Sequence, residues 1–176
     1  KGEKFKLFLD PIANLGTTLE KNSISSQTVN ETAFGLNLQS SFGEKWSGQF
    51  ALLADYSKYP SHIDALVQRK NISPGYDYSK NDQAFFGQAN ITFTADENFT
   101  FQLGYGKNFI GDGYRSLFLS DNANSYPYLK VTANIWKLKY MALYTNYQDV
   151  RNSDGNMKDY FQKLSTIHYL SINATK

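Results

Sequence analysis

The amino-acid sequence predicts an all-β fold: an antiparallel transmembrane β-barrel of about eight strands, with residues 1–176 forming a single barrel domain or a segment of one. Three observations predict it. Apolar and polar residues alternate with period two along most of the chain, aromatic residues are abundant although mean hydropathy is −0.50, and short connections alternate with long ones.

The elements follow in order. A short strand near 4–10 is the least regular, and a long connection over about 11–31 follows it. Within 32–42, Phe34, Leu36, Leu38 and Phe42 share one parity against Asn37, Gln39 and Ser41. Within 45–56, Trp46, Phe50, Leu52, Ala54 and Tyr56 oppose Ser47, Gln49 and Asp55. Ala89, Ile91, Phe93 and Ala95 oppose Gln88, Asn90, Thr92 and Thr94. Phe99, Phe101, Leu103 and Tyr105 then oppose Thr100, Gln102, Gly104 and Gly106. Leu129, Val131, Ala133 and Ile135 oppose Lys130, Thr132 and Asn134, and two less regular strands fall near 137–147 and 163–174.

Tight turns are expected at Gly43-Glu44, at Asp96-Glu97 and near 135–137, the last without a Gly or Asp to mark it. The connections at about 11–31, 58–85, 107–126 and 148–162 are long. Outer-membrane barrels carry this asymmetry, with short periplasmic turns and long extracellular loops. Strands of 9–11 residues cross a bilayer when tilted, whereas soluble strands average about 5–6. The polar parity holds Asn, Gln, Thr and Ser rather than Lys and Glu, which suits a wet, uncharged lumen. Trp46, Tyr56, Tyr59, Tyr126, Tyr128, Trp136, Tyr144 and Tyr147 lie near strand ends, where aromatic girdles meet the headgroups.

Composition excludes several classes of function. Cysteine is absent, and His62 and His168 are the two histidines, so thiolate chemistry and Cys/His metal sites have no material. His168 reads as a packed or girdle residue and His62 as a solvated loop residue. A net charge of +2 with scattered signs gives no field for nucleic acid. No apolar run reaches the ~18 residues of a membrane helix, and no signal peptide opens the chain, which starts Lys1-Gly-Glu-Lys-Phe5. No nucleophile–base pair stands out, so no catalytic residue, metal or cofactor is expected.

The densest local signal runs from Gly104 to Lys130, with glycines at 104, 106, 111 and 113 that forbid a plain strand. Lacking a following helix and a Gly-Lys-Ser/Thr ending, it is no phosphate cradle. It reads as a loop folded back into the lumen, where Asp112, Arg115 and Asp121 pair, with Ser116 and Asn122 beside them. Asp112, Asp121 and Asn122 offer too few oxygens for a calcium loop. The other candidate is the 57–85 excursion. Its Tyr76, Asp77, Tyr78 and Asn81 mix aromatic faces with hydrogen-bonding groups, the chemistry that contacts sugars.

Gly111-Asp-Gly113, Ser116-Leu-Phe-Leu-Ser120, Asn122-Ala123 and Pro127 resemble the signature of the Wzi-like capsule-assembly outer-membrane barrels. The Phe109-Ile-Gly-Asp-Gly-Tyr-Arg-Ser116 version is similar to gliding-motility-type relatives in Bacteroidota. The resemblance spans about 104–147. Where that family often has Trp before its first glycine, this chain has Phe109-Ile110. The resemblance implies a large closed barrel in the bacterial outer membrane, of which this chain is one arc. It also implies a non-enzymatic role in attaching or assembling capsule, with membrane lipid and surface polysaccharide as partners. An end at Asn173-Ala-Thr-Lys176, without a terminal aromatic strand, agrees with an arc. The alternative is a structural subunit of a secretion or gliding complex that docks other envelope proteins.

Overall fold

The computed structural model describes residues 4–21, 26–62, 65, 84–111, 118–121, 124–149 and 160–174. It is a single eight-stranded antiparallel sheet in simple meander order. The strands are β1 (Phe5–Lys21), β2 (Ser26–Phe42), β3 (Trp46–Asp55), β4 (Ala84–Thr94), β5 (Phe99–Gly106), β6 (Tyr126–Ile135), β7 (Leu138–Asp149) and β8 (Phe161–Ile172). β1 and β8 are the two edges, so the sheet is open.

The first hairpin corrects the sequence reading. β1 is a 17-residue strand rather than a short one near 4–10, and only residues 22–25 separate it from β2. Of the expected long connection over 11–31, residues 11–21 and 26–31 are therefore strand, paired in unbroken register from Phe5↔Phe42 to Lys21↔Ser26. Beyond Leu15, both parities carry polar residues such as Thr17, Thr18, Glu20, Gln27, Thr28 and Glu31, which erases the alternation that would have marked a strand. Backbone pairing continues regardless, because each rung brings its own hydrogen bonds and Thr and Val fit a pleated surface. Pro11 sits in β1, an edge strand, where a missing N–H is tolerated. The hairpin reaches past β3: the β2–β3 ladder ends at Ala33↔Asp55, and backbone bonds from Tyr56 to Thr32 and from Lys58 to Asn30 carry the contact a little further. The other expected strands and all three tight turns are present.

Register places every apolar parity on one face. A single row runs Phe5, Phe42, Trp46, Phe93, Phe101, Val131, Ala142 and His168 across all eight strands. The next row carries Leu7, Ile91, Leu103, Leu129 and Tyr144. Most of these side chains are uncovered: Leu103 is 64 % exposed and Ile91 58 %, whereas Ala142 is buried. Where Ser40, Gly48 and Ala89 fall on this face, their small size leaves an open groove of about 370 Å³ between Leu38, Phe50, Ile91, Leu103 and Tyr105. The opposite face carries Asn37, Gln39, Gln49, Asn90, Thr92, Gln102, Lys130 and Thr132.

The tight turns step along the sheet. The last rung before each is Phe42↔Trp46, then Ala95 with Phe99, then Ile135↔Leu138. Trp46 pairs with Phe93, two residues short of Ala95, and Phe99 pairs with Ala133, two short of Ile135. Each hairpin is thus displaced by two residues from its predecessor. Two residues of rise against two interstrand spacings is a tilt of about 35° between the strands and a line perpendicular to the row of turns.

Trp136 closes the β6–β7 turn at φ 54°, a conformation that glycine usually takes, and this explains why no turn residue marks it in sequence. Its ring is 89 % exposed, with Lys137 Nζ 5.4 Å from the centroid.

Candidate functional site

A buried hydrophobic cluster of the described residues lies on the polar face. After β5 the chain turns back over that face. Ile110 packs there with Tyr126, Tyr128 and Leu143, flanked by Leu119, Met141, Tyr147, Ile167 and Tyr169. Two strands of the returning segment brace one another: the Ile110 N–H donates to Leu119 O at 2.9 Å and the Leu119 N–H to Ile110 O at 3.2 Å. Phe118 meets the edge of Tyr169 with ring centroids 6.0 Å apart, reaching as far as β8. The described residues of the segment thus touch the polar parity from β6 to β8. Gly111, at φ 135°, is where the chain bends in a way that L-residues resist.

Gly104 has a second reason to be glycine. A Cβ there would lie 2.8 Å from the Ala89 carbonyl oxygen and 2.8 Å from Cζ and the hydroxyl of Tyr128. Tyr128, directly across from Gly104, lays its ring over the vacancy and donates from its hydroxyl to Gln102 Oε1 at 3.3 Å. Gln102 Nε2 in turn donates to Thr92 Oγ1 at 3.1 Å and Asn90 Oδ1 at 3.3 Å. A ladder of neutral side chains therefore crosses β4, β5 and β6 on this face.

Asn108 ties the returning segment to it. The backbone N–H of Asn108 donates to the Tyr126 hydroxyl at 3.1 Å, and Lys130 Nζ donates to Asn108 Oδ1 at 3.2 Å. The Tyr126 and Tyr147 rings meet edge-on at 4.7 Å. Ser125, where the segment re-enters the sheet, donates from Oγ to the Gly87 carbonyl at 3.3 Å.

At the projecting hairpin, Glu20 holds the start of the β3–β4 connection. Its carboxylate accepts from the Ser61 hydroxyl, from the Ser61 N–H at 3.0 and 3.2 Å, and from Gln27 Nε2 at 2.6 Å. These bonds, the Ser61 hydroxyl first, stabilise the ionised form and hold the Glu20 carboxyl below its usual range. Asp55 similarly accepts from the hydroxyl and N–H of Ser57, the latter at 2.9 Å, and Ser57 Oγ accepts the Thr32 N–H at 3.2 Å.

Of the residues singled out from sequence, Asp121 is exposed at a turn that follows Leu119 and Ser120. Asp112, Arg115, Ser116 and Asn122 lie outside the described residues, as do Tyr76, Asp77, Tyr78 and Asn81. His168 sits on the apolar face, with Nδ1 2.6 Å from the Tyr140 hydroxyl and the Tyr144 ring edge-on to it. His62 is exposed. Among the described residues no group of three or more His, Cys, Asp or Glu could hold a metal ion.

Sequence reasoning passed over Asn108, Tyr126, Tyr128 and Lys130 as site residues. One signal could have found them: Lys130 is the lone cation on the polar parity of 126–135, two positions from a tyrosine that faces a glycine. Comparison with protein-family models, with curated proteins and with solved structures finds no match to this chain.

Proposed function

We propose that this chain is an arc of a larger closed β-barrel in the bacterial outer membrane, and that the barrel holds or organises surface polysaccharide without catalysing a reaction. The observation that carries the membrane reading is an inversion of faces. The chain folds its own segment onto the polar parity and leaves the apolar parity bare, with Phe34, Leu36, Trp46, Phe50, Leu52, Ile91, Phe101 and Leu103 all exposed. In water the opposite arrangement is favoured, since exposed apolar area costs about 25 cal/mol per Å². Lipid removes the conflict. Strand lengths of 8–17 residues and a tilt of about 35° suit a bilayer-spanning barrel. Eight strands with two free edges support an arc over a self-contained barrel.

The polysaccharide role rests on the resemblance of 104–147 to the Wzi-like capsule-assembly barrels. The polar face bearing an inward segment is the kind of lumen that such a role uses. The test is retention of purified capsule or exopolysaccharide by the detergent-solubilised protein, with loss on changing Tyr76, Tyr78 or Asp112. If the barrel is instead a docking subunit of a secretion or gliding assembly, partner proteins co-purify in fixed ratio and glycan is ignored.

A further inference from the structure

Among the described residues, two buried polar atoms beside the returning segment have no hydrogen-bond partner, and a lysine lies next to them. Lys130 is half-buried on the polar face, where Nζ donates to the neutral Asn108 amide oxygen and lies 5.6 Å from the centre of the Tyr128 ring. Among the described residues, the charged group that acts on it is another cation, Lys139, on the next strand. Asn108 is 8 % exposed, and its amide Nδ2 is buried without a hydrogen-bond partner. The Tyr147 hydroxyl, beyond the Tyr126 ring, is likewise buried and unpartnered. A buried donor left unsatisfied is costly, and a half-desolvated ammonium with no anion among the described residues beside it is more so. Three such groups, joined through Asn108 and Tyr126 within one patch of β6 and β7, form an arrangement that an acceptor would complete.

We propose that Lys130 and Asn108, with Tyr147 beside them, form a binding site for a single carboxylate. A carboxylate offers acceptor lone pairs to Nζ and to Nδ2 together and carries the one negative charge that Lys130 neutralises. A dianionic phosphate would bring a second charge that Lys130 alone does not neutralise, since Lys139 is exposed to solvent, so it binds less well. The carboxylate can belong to an acidic sugar of a surface glycan or to a small free acid. The proposal rests on the donor cluster and not on the polysaccharide reading, so either can fail alone.

The test is titration calorimetry on the full-length protein in detergent with acetate, glucuronate, glucose and inorganic phosphate as probes. Acetate and glucuronate bind, glucose does not, and phosphate binds more weakly. Glucuronate well above acetate identifies the source as an acidic sugar, whereas equal affinity identifies free acids. Lys130→Gln lowers carboxylate affinity at least roughly tenfold, the loss of one charge-assisted hydrogen bond. Asn108→Asp supplies a carboxylate from within, abolishing binding while the barrel remains folded and resistant to heat in detergent. The proposal is overturned if acetate and glucuronate fail to bind the unmodified protein, or if Lys130→Gln binds them equally well. It is also overturned if Asp112→Asn raises their affinity about tenfold, since the chain's own carboxylate would then be the occupant.

Discussion

Two glycines on one face of β5 should respond oppositely to the same added methyl group. Gly104 and Gly106 are two residues apart, and neither needs a positive φ. At Gly104 the new Cβ meets the Ala89 carbonyl oxygen and the Tyr128 ring, each at 2.8 Å, closer than side-chain carbons are found. The carbonyl belongs to the ladder and cannot retreat without loss of a rung. Tyr128 can swing away, but it then releases Gln102 and uncovers Ile110 and Leu143. Overpacking costs about 1–3 kcal/mol and the hydrogen bond about 1 kcal/mol, so Gly104→Ala should destabilise by about 2–4 kcal/mol. At Gly106 the nearest atom is Gln88 Cβ at 3.4 Å, an ordinary contact. Gly106→Ala should therefore be neutral, or stabilising by about 0.4–1 kcal/mol through a less mobile unfolded chain. Urea unfolding of the folded protein in lipid vesicles, followed by tryptophan emission, measures both. Equal midpoints for the two variants would refute the close packing of Tyr128 on β5.

Three further outcomes follow from the geometry. A carboxyl held below its usual range contributes stability above its unfolded pKa and loses it as pH falls through the lower folded value. Cleavage by protease just after Ser61 should accordingly rise on acidification below the ordinary carboxylate range, and Glu20→Gln should show the rise already at pH 7. Ile110→Ala should cost about 2–5 kcal/mol at the buried cluster, read as faster hydrogen exchange of the Ile110 and Leu119 amides with little change elsewhere. Trp136→Gly should relieve about 1–2 kcal/mol of left-handed strain, stabilising the protein in detergent, yet weaken it in a bilayer by removing an interfacial ring. Equal effects in the two solvents would deny Trp136 an anchoring role.

The middle of the sheet is legible in sequence because its two faces meet different surroundings. β2 through β6 alternate cleanly, so Leu36, Phe50, Ile91, Phe101 and Leu129 give both strand and face. The projecting part of the first hairpin is not legible, because neither face from Thr17 to Glu31 is consistently apolar and periodicity carries no information there. That the chain leaves the strand path after β5 is legible from Gly104, Gly106 and Gly111, but its anchors on the polar face are not. Ile110 and Leu119 are apolar residues in a loop, and Asn108 with Lys130 become partners only when residues 22 positions apart are folded together. The polar parity also holds a lesson for substitution. Gln102 and Asn90 look like freely replaceable lumen residues in sequence, yet they bond one another and support Tyr128. Gln39 and Gln88 are exposed and better sites for change.

The central claim, that the apolar parity faces lipid, is tested most directly by spin labels along β2. The chain has no cysteine, so single cysteines at positions 34–41 can be labelled one at a time in the membrane-embedded protein. Collision with oxygen, which concentrates in lipid, should peak at 34, 36 and 38. Collision with a water-soluble nickel chelate should peak at 37, 39 and 41, giving two waves of period two in opposite phase. Water-soluble collisions at 34, 36 and 38, or waves in phase, would contradict the account.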